Sequence, residues 1–289
     1  MIFALDTVIQ GVLLGGLYAL FAAGLSLIFG VMRLVNLAHG DVIVLAAFVL
    51  LALAQFCGLG LGLAMLLTLP GMFVLGYGVQ YWVLNRVVGK DILPPLLITF
   101  GLSIFTQNGL QEAFSADGRR LSAQGLENAS LALAPGLAIG LMPLATLAAA
   151  LIVIVGLNQI FYRTATGRAL RAVSDDPVTA QLMGIDNKRL FALAMGLAFI
   201  VSAVAALFLG VRANFDPSIG PARLIFAFEA VIIGGLGSLW GTLAGGVLLG
   251  VAQTIGSAVN PAWQILAGHV AFLLVLLVRP RGFFPRSTD

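Results

Sequence analysis

"TVIQGVLLGGLYALFAAGLSLIFGV", residues 7–31, contains no Asp, Glu, Lys or Arg. About 20 consecutive apolar residues are enough for a helix to cross the hydrocarbon of a bilayer. The run is therefore predicted to be a membrane helix. Ahead of it, "MIFALD" lacks the basic start of a secretory signal, so the helix is expected to be retained. Comparable apolar runs follow at 38–57, 60–84, 93–113, 140–161, 190–211, 222–239, 240–257 and 262–279. Lipid cannot satisfy open backbone groups, so these runs should be helical.

Composition agrees with that reading. Of 289 residues, 60% are hydrophobic and 9% charged, against about a quarter charged in soluble domains. The expected fold is all-α: a polytopic integral membrane helix bundle of eight or nine segments, with 1–289 forming one transmembrane domain. The pair 222–239 and 240–257 is short, Gly-rich and barely separated, so Gly-rich half-helices or a re-entrant turn are expected there. The net charge of +3 is spread between apolar runs, so it reads as a topology signal and not as a nucleic-acid surface. A single cysteine, Cys57, excludes an internal disulfide and a cysteine-based metal site.

Orientation follows from Lys and Arg. Arg33, Arg86, Lys90, Arg163, Arg168, Arg171, Lys188, Arg189, Arg279, Arg281 and Arg286 gather on one side when nine crossings are counted. Arg119, Arg120, Arg212 and Arg223 fall on the other. The N-terminus is then expected outside and the C-terminus in the cytoplasm. The outer connection 114–139 mixes charged residues with "LALAPGLAIG", which fits either a solvated loop or an ordered element facing a partner.

Repetition is also visible. Gly237, Gly241 and Gly245 recur every fourth residue, as do Gly246 and Gly250; small residues so spaced let helix backbones approach closely. "VNLAHGDVIVLAAFVL" (35–50) and "ANFDPSIGPARLIFAFEAVIIGG" (213–235) both run from Asn through a polar turn with Gly into an apolar helix. With the first turn inside and the second outside, this is the pattern of an inverted repeat.

Ionisable residues within membrane segments are costly and are functional candidates by default. Glu229 sits in an apolar run and should face the bundle interior, either touching a solute or fixing packing. His39 and Asp41 precede "VIVLAAF", where an acid suits a helix cap. His269 lies inside the last run and suits a hydrogen-bonded core position. Thr99, Ser103 and Gln107 recur every four residues and stack on one helix face, which either binds neighbouring helices or lines a path for a polar solute. With Asn36, His39 and Glu229 they form the candidate translocation path. Catalytic signatures are missing: the Gly89–Lys90 pair lacks the upstream Gly of a phosphate-binding loop. "GLSL" and "GLSI" lack the second Gly of a nucleophile elbow. No metal-binding motif occurs, and no catalytic residue is assigned.

One stretch stands apart, "GRALRAVSDDPVTAQLMGID" (167–186). Asp176 followed by Pro177 forms a helix start. Val178, Leu182 and Met183 give a short apolar face, and Gly184 suits a helix stop. Arg168 and Arg171 flank it. The region 163–189 is therefore predicted to be a cytoplasmic element of one or two short amphipathic helices. Its apolar face is too short for strong lipid binding and better suits a groove in a partner.

Three blocks together carry a resemblance. "GVLLGGLYALFAAGLSLIFGVMRLVNLAHGDV", "TGRALRAVSDDPVTAQLMGID", and "EAVIIGGLGSLWGTLAGGVLLG" with "LVRPRGFFP" resemble, in order, LivH-type permeases, the membrane subunits of branched-chain amino-acid ABC importers. The resemblance implies a bacterial inner-membrane permease that translocates branched-chain or related amino acids by alternating access. It implies a related second permease, two cytoplasmic ATPases holding ATP and Mg, and an external binding protein. It also implies that Gly167, Arg168, Arg171, Ala172, Asp176, Pro177, Ala180, Leu182, Gly184 and Ile185 dock on an ATPase. A self-sufficient ion-coupled carrier or channel, with Glu229 as coupling charge, is the alternative.

Overall fold

The computed structural model describes residues 2–89, 91, 93–123, 125–134 and 137–284. Lys90 and Arg286 of the charge pattern lie outside the described residues, as do Pro135 and Gly136 of the outer connection.

The opening run becomes α1, Ile2–Met32, a helix of 31 residues. It is apolar on every side, so it should be buried all round, and Ala19, Phe21, Ala22, Ala23 and Ile28 are completely enclosed. The other helices arrange themselves about it. α1 packs against α5 (Leu141–Arg163), α8 (Asn187–Arg212), α9 (Gly220–Gly234) and α10 (Leu239–Val259). α2 (His39–Gln55) lies against α8 and α9, and α4 (Leu93–Phe114) covers α2. α3 (Leu61–Gly78) packs on α8 and continues through a π turn at Val79–Val83. α11 (Gln264–Val278) closes the bundle against α10. α3, α5 and α11 turn most of their apolar side chains outward, as helices bathed in lipid do.

Six helices among the described residues are long and apolar enough to cross a membrane. α2 and α9 are shorter, at 17 and 15 residues. At 1.5 Å per residue α9 reaches about 22 Å, less than the roughly 30 Å of hydrocarbon. Of the two half-helices expected at 222–257, α9 is therefore short. α10, at 21 residues, is longer than expected and reaches across.

The glycine spacing explains how α10 fits. Gly241 and Gly245 lie against Gly234 and Ala230 of α9, while Gly246 and Gly250 lie against Gly11, Gly15 and Ala19 of α1. One helix thus offers two smooth seams to two neighbours.

The two ends of α1 meet different elements. Near its start, the Gln10 side-chain amide donates to the Ala138 carbonyl at 3.1 Å. Ala138 belongs to a hairpin that the helical expectation did not foresee: β1 (Ser130–Ala134) pairs antiparallel with β2 (Leu137–Gly140). The outer connection is further tied down by a bridge between Arg119 and Phe215, with both N–H···O distances 2.8 Å. At the other end, the Ser174 hydroxyl donates to the Gly30 carbonyl at 2.6 Å. Ser174 belongs to α6 (Ala165–Asp175), which with α7 (Pro177–Leu182) makes up the connection from α5 to α8.

Candidate functional site

Two clusters and one surface element hold the residues singled out by the sequence. The first cluster forms where α2 begins. After α1 the chain turns back at Arg33, which takes φ +51°, and runs without helical structure to Ala38. Asn36 Oδ1 accepts the Ala38 N–H at 3.1 Å and so shapes the turn before α2. His39 is fully enclosed and its Nε2 lies 2.8 Å from the Phe21 carbonyl. Phe21 is roughly 16 Å back along α1 from Met32 at 1.5 Å per residue. The start of α2 is therefore inside the bundle and not at its surface.

Asp41 corrects the capping expectation. Ala38 occupies the cap position and no side chain caps α2. The Asp41 carboxylate turns instead toward α4, where Oδ2 accepts the Ser103 hydroxyl at 2.6 Å. Ser103 Oγ in turn accepts from Gln107 Nε2 at 3.1 Å. Thr99, on the same face, is buried and donates to the Leu96 carbonyl at 3.1 Å. The polar face of α4 thus turns inward over the start of α2, while Leu97, Phe100, Ile104 and Phe105 face outward. Of the proposed path, Ser103 and Gln107 bond to each other, and Ser103 ties them to Asp41, a residue the path had not included. Asn36 and His39 sit at the adjacent turn. The signal in the sequence was Asp41 itself, an acid in an apolar run; its partner lies 62 positions away and no local pattern shows it.

Glu229 belongs to a second cluster. Its Oε1 pairs with Nδ1 of His269 on α11, and the Phe226 ring stacks on the His269 ring with centroids 6.2 Å apart. No hydrogen bond between the two clusters is found among the described residues. A buried pair that the sequence did not anticipate lies nearby: the Tyr18 hydroxyl donates to Gln253 Oε1 at 2.5 Å.

The surface element is α6–α7 with its flanks. The Thr164 hydroxyl accepts the Gly167 N–H at 3.0 Å and starts α6. Gly167 is pressed against the Phe161 backbone, where a Cβ would overlap the carbonyl carbon at 2.6 Å. Arg171 donates to the Phe161 carbonyl and lies 4.9 Å from the Tyr162 ring centroid. α6 is thereby clamped to the end of α5. Arg168 and Ala172 face solvent.

Asp176 then caps α7, with Oδ1 accepting the Val178 and Thr179 N–H groups at 3.0 and 3.1 Å and Oδ2 accepting the Thr179 hydroxyl at 2.5 Å. The Thr179 hydroxyl and then the backbone amides hold the Asp176 carboxyl below the usual carboxylate range. Pro177 takes the first helical position. Gly184 ends the element at φ +83°, a conformation that side chains disfavour. The Ile185 N–H returns to the Ala180 carbonyl at 3.1 Å. Ala180 is buried, whereas Val178 and Leu182 are 68% and 82% exposed and Met183 is also exposed. All ten residues expected in the docking element thus fall on one ordered surface feature.

A cavity of about 990 Å³ opens beside it, lined by Arg33, Leu34, Asp91, Pro94, Pro95, Asp175 and neighbours. It lies between the turn after α1, the start of α4 and the end of α6. No group of three or more metal-ligating side chains occurs among the described residues.

A bundle of apolar helices, with a polar cluster buried where a short helix begins and an ordered amphipathic element at one end, defines a multi-pass membrane protein built around a helical core. The chain belongs to the branched-chain amino acid transport system permease component family, whose model matches residues 7–279. It is 31% identical to the high-affinity branched-chain amino acid transport system permease protein BraD of Pseudomonas aeruginosa, across 98% of this chain and 96% of that protein. Likeness to the corresponding LivH protein of Escherichia coli is 28% across 99% and 96% of the two chains. The LivM permease protein of Escherichia coli is 22% identical over 94% of this chain and 68% of its own length.

Proposed function

We propose that the protein is the permease subunit of an ATP-driven importer that carries branched-chain amino acids into the cell. The observation that carries this reading is the family match over 7–279 combined with the exposed apolar face of α7 on a rigidly held element. In this reading α7 docks in a groove of a cytoplasmic ATPase. The ATPases hold ATP and Mg and supply the energy, and this subunit hydrolyses nothing. A related second permease completes the membrane core, and an external binding protein delivers the amino acid. The end bearing α6–α7 faces the cytoplasm and the end bearing the β1–β2 hairpin faces outside.

Coupling follows from the clamps. Movement of an ATPase is passed to α7, then through Gly167 and Arg171 to α5 and through Ser174 to the end of α1. A change of contacts at α7 between two ATPase states is what a shift between outward-open and inward-open bundles requires.

The test is amino-acid-stimulated ATP hydrolysis by the assembled complex. Replacing Gly184 by a bulky residue, or Arg171 by Glu, should uncouple hydrolysis from uptake. Normal uptake with both changes at normal expression would overturn the docking assignment. Uptake by the purified chain alone under an ion gradient would favour an ion-coupled carrier instead.

A further inference from the structure

Asp41 is 1% exposed. One of its oxygens accepts from Ser103, and the other, Oδ1, is buried without a partner. No ion pair to Asp41 occurs among the described residues. A buried carboxylate without a cation is costly, more so in a membrane bundle. The surroundings indicate which cation fits.

The starts of α2 and α9 abut. A Cβ on Gly40 would lie 3.0 Å from the Leu224 N, and one on Gly220 would lie 2.7 Å from the Asp41 carboxyl carbon. In the first turn of α9, Pro221 carries no N–H and the Arg223 N–H bonds to the Ile219 carbonyl at 3.3 Å, which leaves the first N–H groups of Gly220 and Ala222 without a partner inside the helix; the partial positive charge there favours an anion. In the same first turn of α9, the Nε of Arg223 is also buried without a partner. An oxygen that lacks a cation therefore sits beside a helix turn that favours an anion. An α-amino acid carries an ammonium and a carboxylate on a single carbon, and so offers one charge to each. Gly40 and Gly220 bring the two helix starts to backbone contact, with the Asp41 carboxylate beside Gly220.

We propose that, when α2 and α9 part during transport, Asp41 Oδ1 receives the ammonium of the amino acid and the first turn of α9, with Arg223, receives its carboxylate. The inference rests on the transport reading above and names the part of the substrate that the bundle recognises. It makes the membrane core selective for zwitterions, whatever the side chain.

Asp41→Asn is the sharpest test, because the amide oxygen still accepts from Ser103 while the charge is gone. In proteoliposomes bearing the complete assembly, leucine uptake by this variant should fall about tenfold or more. Ser103→Ala removes the hydrogen bond but keeps the charge, and should retain uptake within about threefold of the unaltered complex. A purely structural Asp41 gives the reverse order; Asp41→Asn equal to the unaltered complex, or better than Ser103→Ala, overturns the inference. Should Asp41→Asn fail to assemble, thermal shifts of the unaltered permease–ATPase assembly, without its binding protein, decide. Leucine should raise the melting temperature and its des-amino analogue 4-methylpentanoate should not; equal shifts, or none with leucine, overturn it. An unaltered assembly that imports no amino acid at all sinks the transport reading itself, whereas normal import with an indifferent Asp41 sinks only this inference.

Discussion

The seam between α1 and α10 leads to a quantitative expectation for Gly246→Ala. A Cβ there would stand 2.7 Å from the Ala19 N, 2.8 Å from the Gly15 O and 3.1 Å from the Ala19 Cα. All three are backbone atoms of a buried helix, so no side chain can swing aside. To restore ordinary contact the helices must part by about 0.7 Å, and a gap of that size forfeits a quarter to a half of the dispersion attraction along the seam. Overpacking of this kind costs about 1–3 kcal/mol. At 2 kcal/mol the ratio of folded to unfolded protein falls roughly thirtyfold.

Gly156→Ala is the matched control, because nothing lies within 4 Å of a Cβ at that position of α5. Removing a glycine from a helix there should be neutral or stabilise by up to about 1 kcal/mol. The assay is thermal melting in detergent, followed by the fraction of monodisperse protein on size exclusion. Gly246→Ala should melt clearly below the unaltered protein and Gly156→Ala at or above it. Equal melting of the two variants would refute the claim that the α1–α10 seam is held at backbone contact.

Leu182→Glu places a charge on the exposed face of α7 without touching the core. The permease should insert and melt normally but retain about a tenth or less of its ATPase partner on copurification, as expected for a central interface anchor. The Asp176 cap sets a pH expectation: because its carboxyl is held low by Thr179 and the backbone amides, its stabilisation of α7 is present above the unfolded carboxylate value of about 3.9 and lost as pH falls through the lower, folded one. Hydrogen exchange of the Val178 and Thr179 amides, corrected for intrinsic rate, should show protection at neutral pH that disappears under acid; protection independent of pH would contradict the cap. For the Glu229–His269 pair, a double-mutant cycle of Glu229→Gln and His269→Ala should show coupling of about 1 kcal/mol or more, and strictly additive melting shifts would show that the contact contributes nothing.

How much of this was legible in the sequence depended on the range of the interaction. The α1 helix, the Asp176–Pro177 start and the Gly184 stop were legible, because each depends on neighbours within a few residues. The glycine spacing in α10 announced close packing but not its partners, and the structure divides it between α9 and α1. It also underlies the underestimate of α10, since glycine-rich composition read as a broken helix is here the surface of a whole one. The Asp41 carboxylate was misassigned as a cap for the same reason: capping is the local option for an acid near a helix start, and Ser103 reaches it only through tertiary packing. The β1–β2 hairpin escaped notice because "LALAPGLAIG" has no alternation of polar and apolar residues to mark a strand.

The central claim is that this chain moves an amino acid at the expense of ATP hydrolysed by its partners. Labelled leucine uptake into proteoliposomes, with the chain assembled with its second permease, two ATPases and binding protein, tests it most directly. Uptake is expected only when ATP is supplied on the α6–α7 side, and should vanish when the ATPases are omitted. Uptake that persists without the ATPases, or an intact assembly that hydrolyses ATP yet accumulates no leucine or other branched-chain amino acid, would contradict the account.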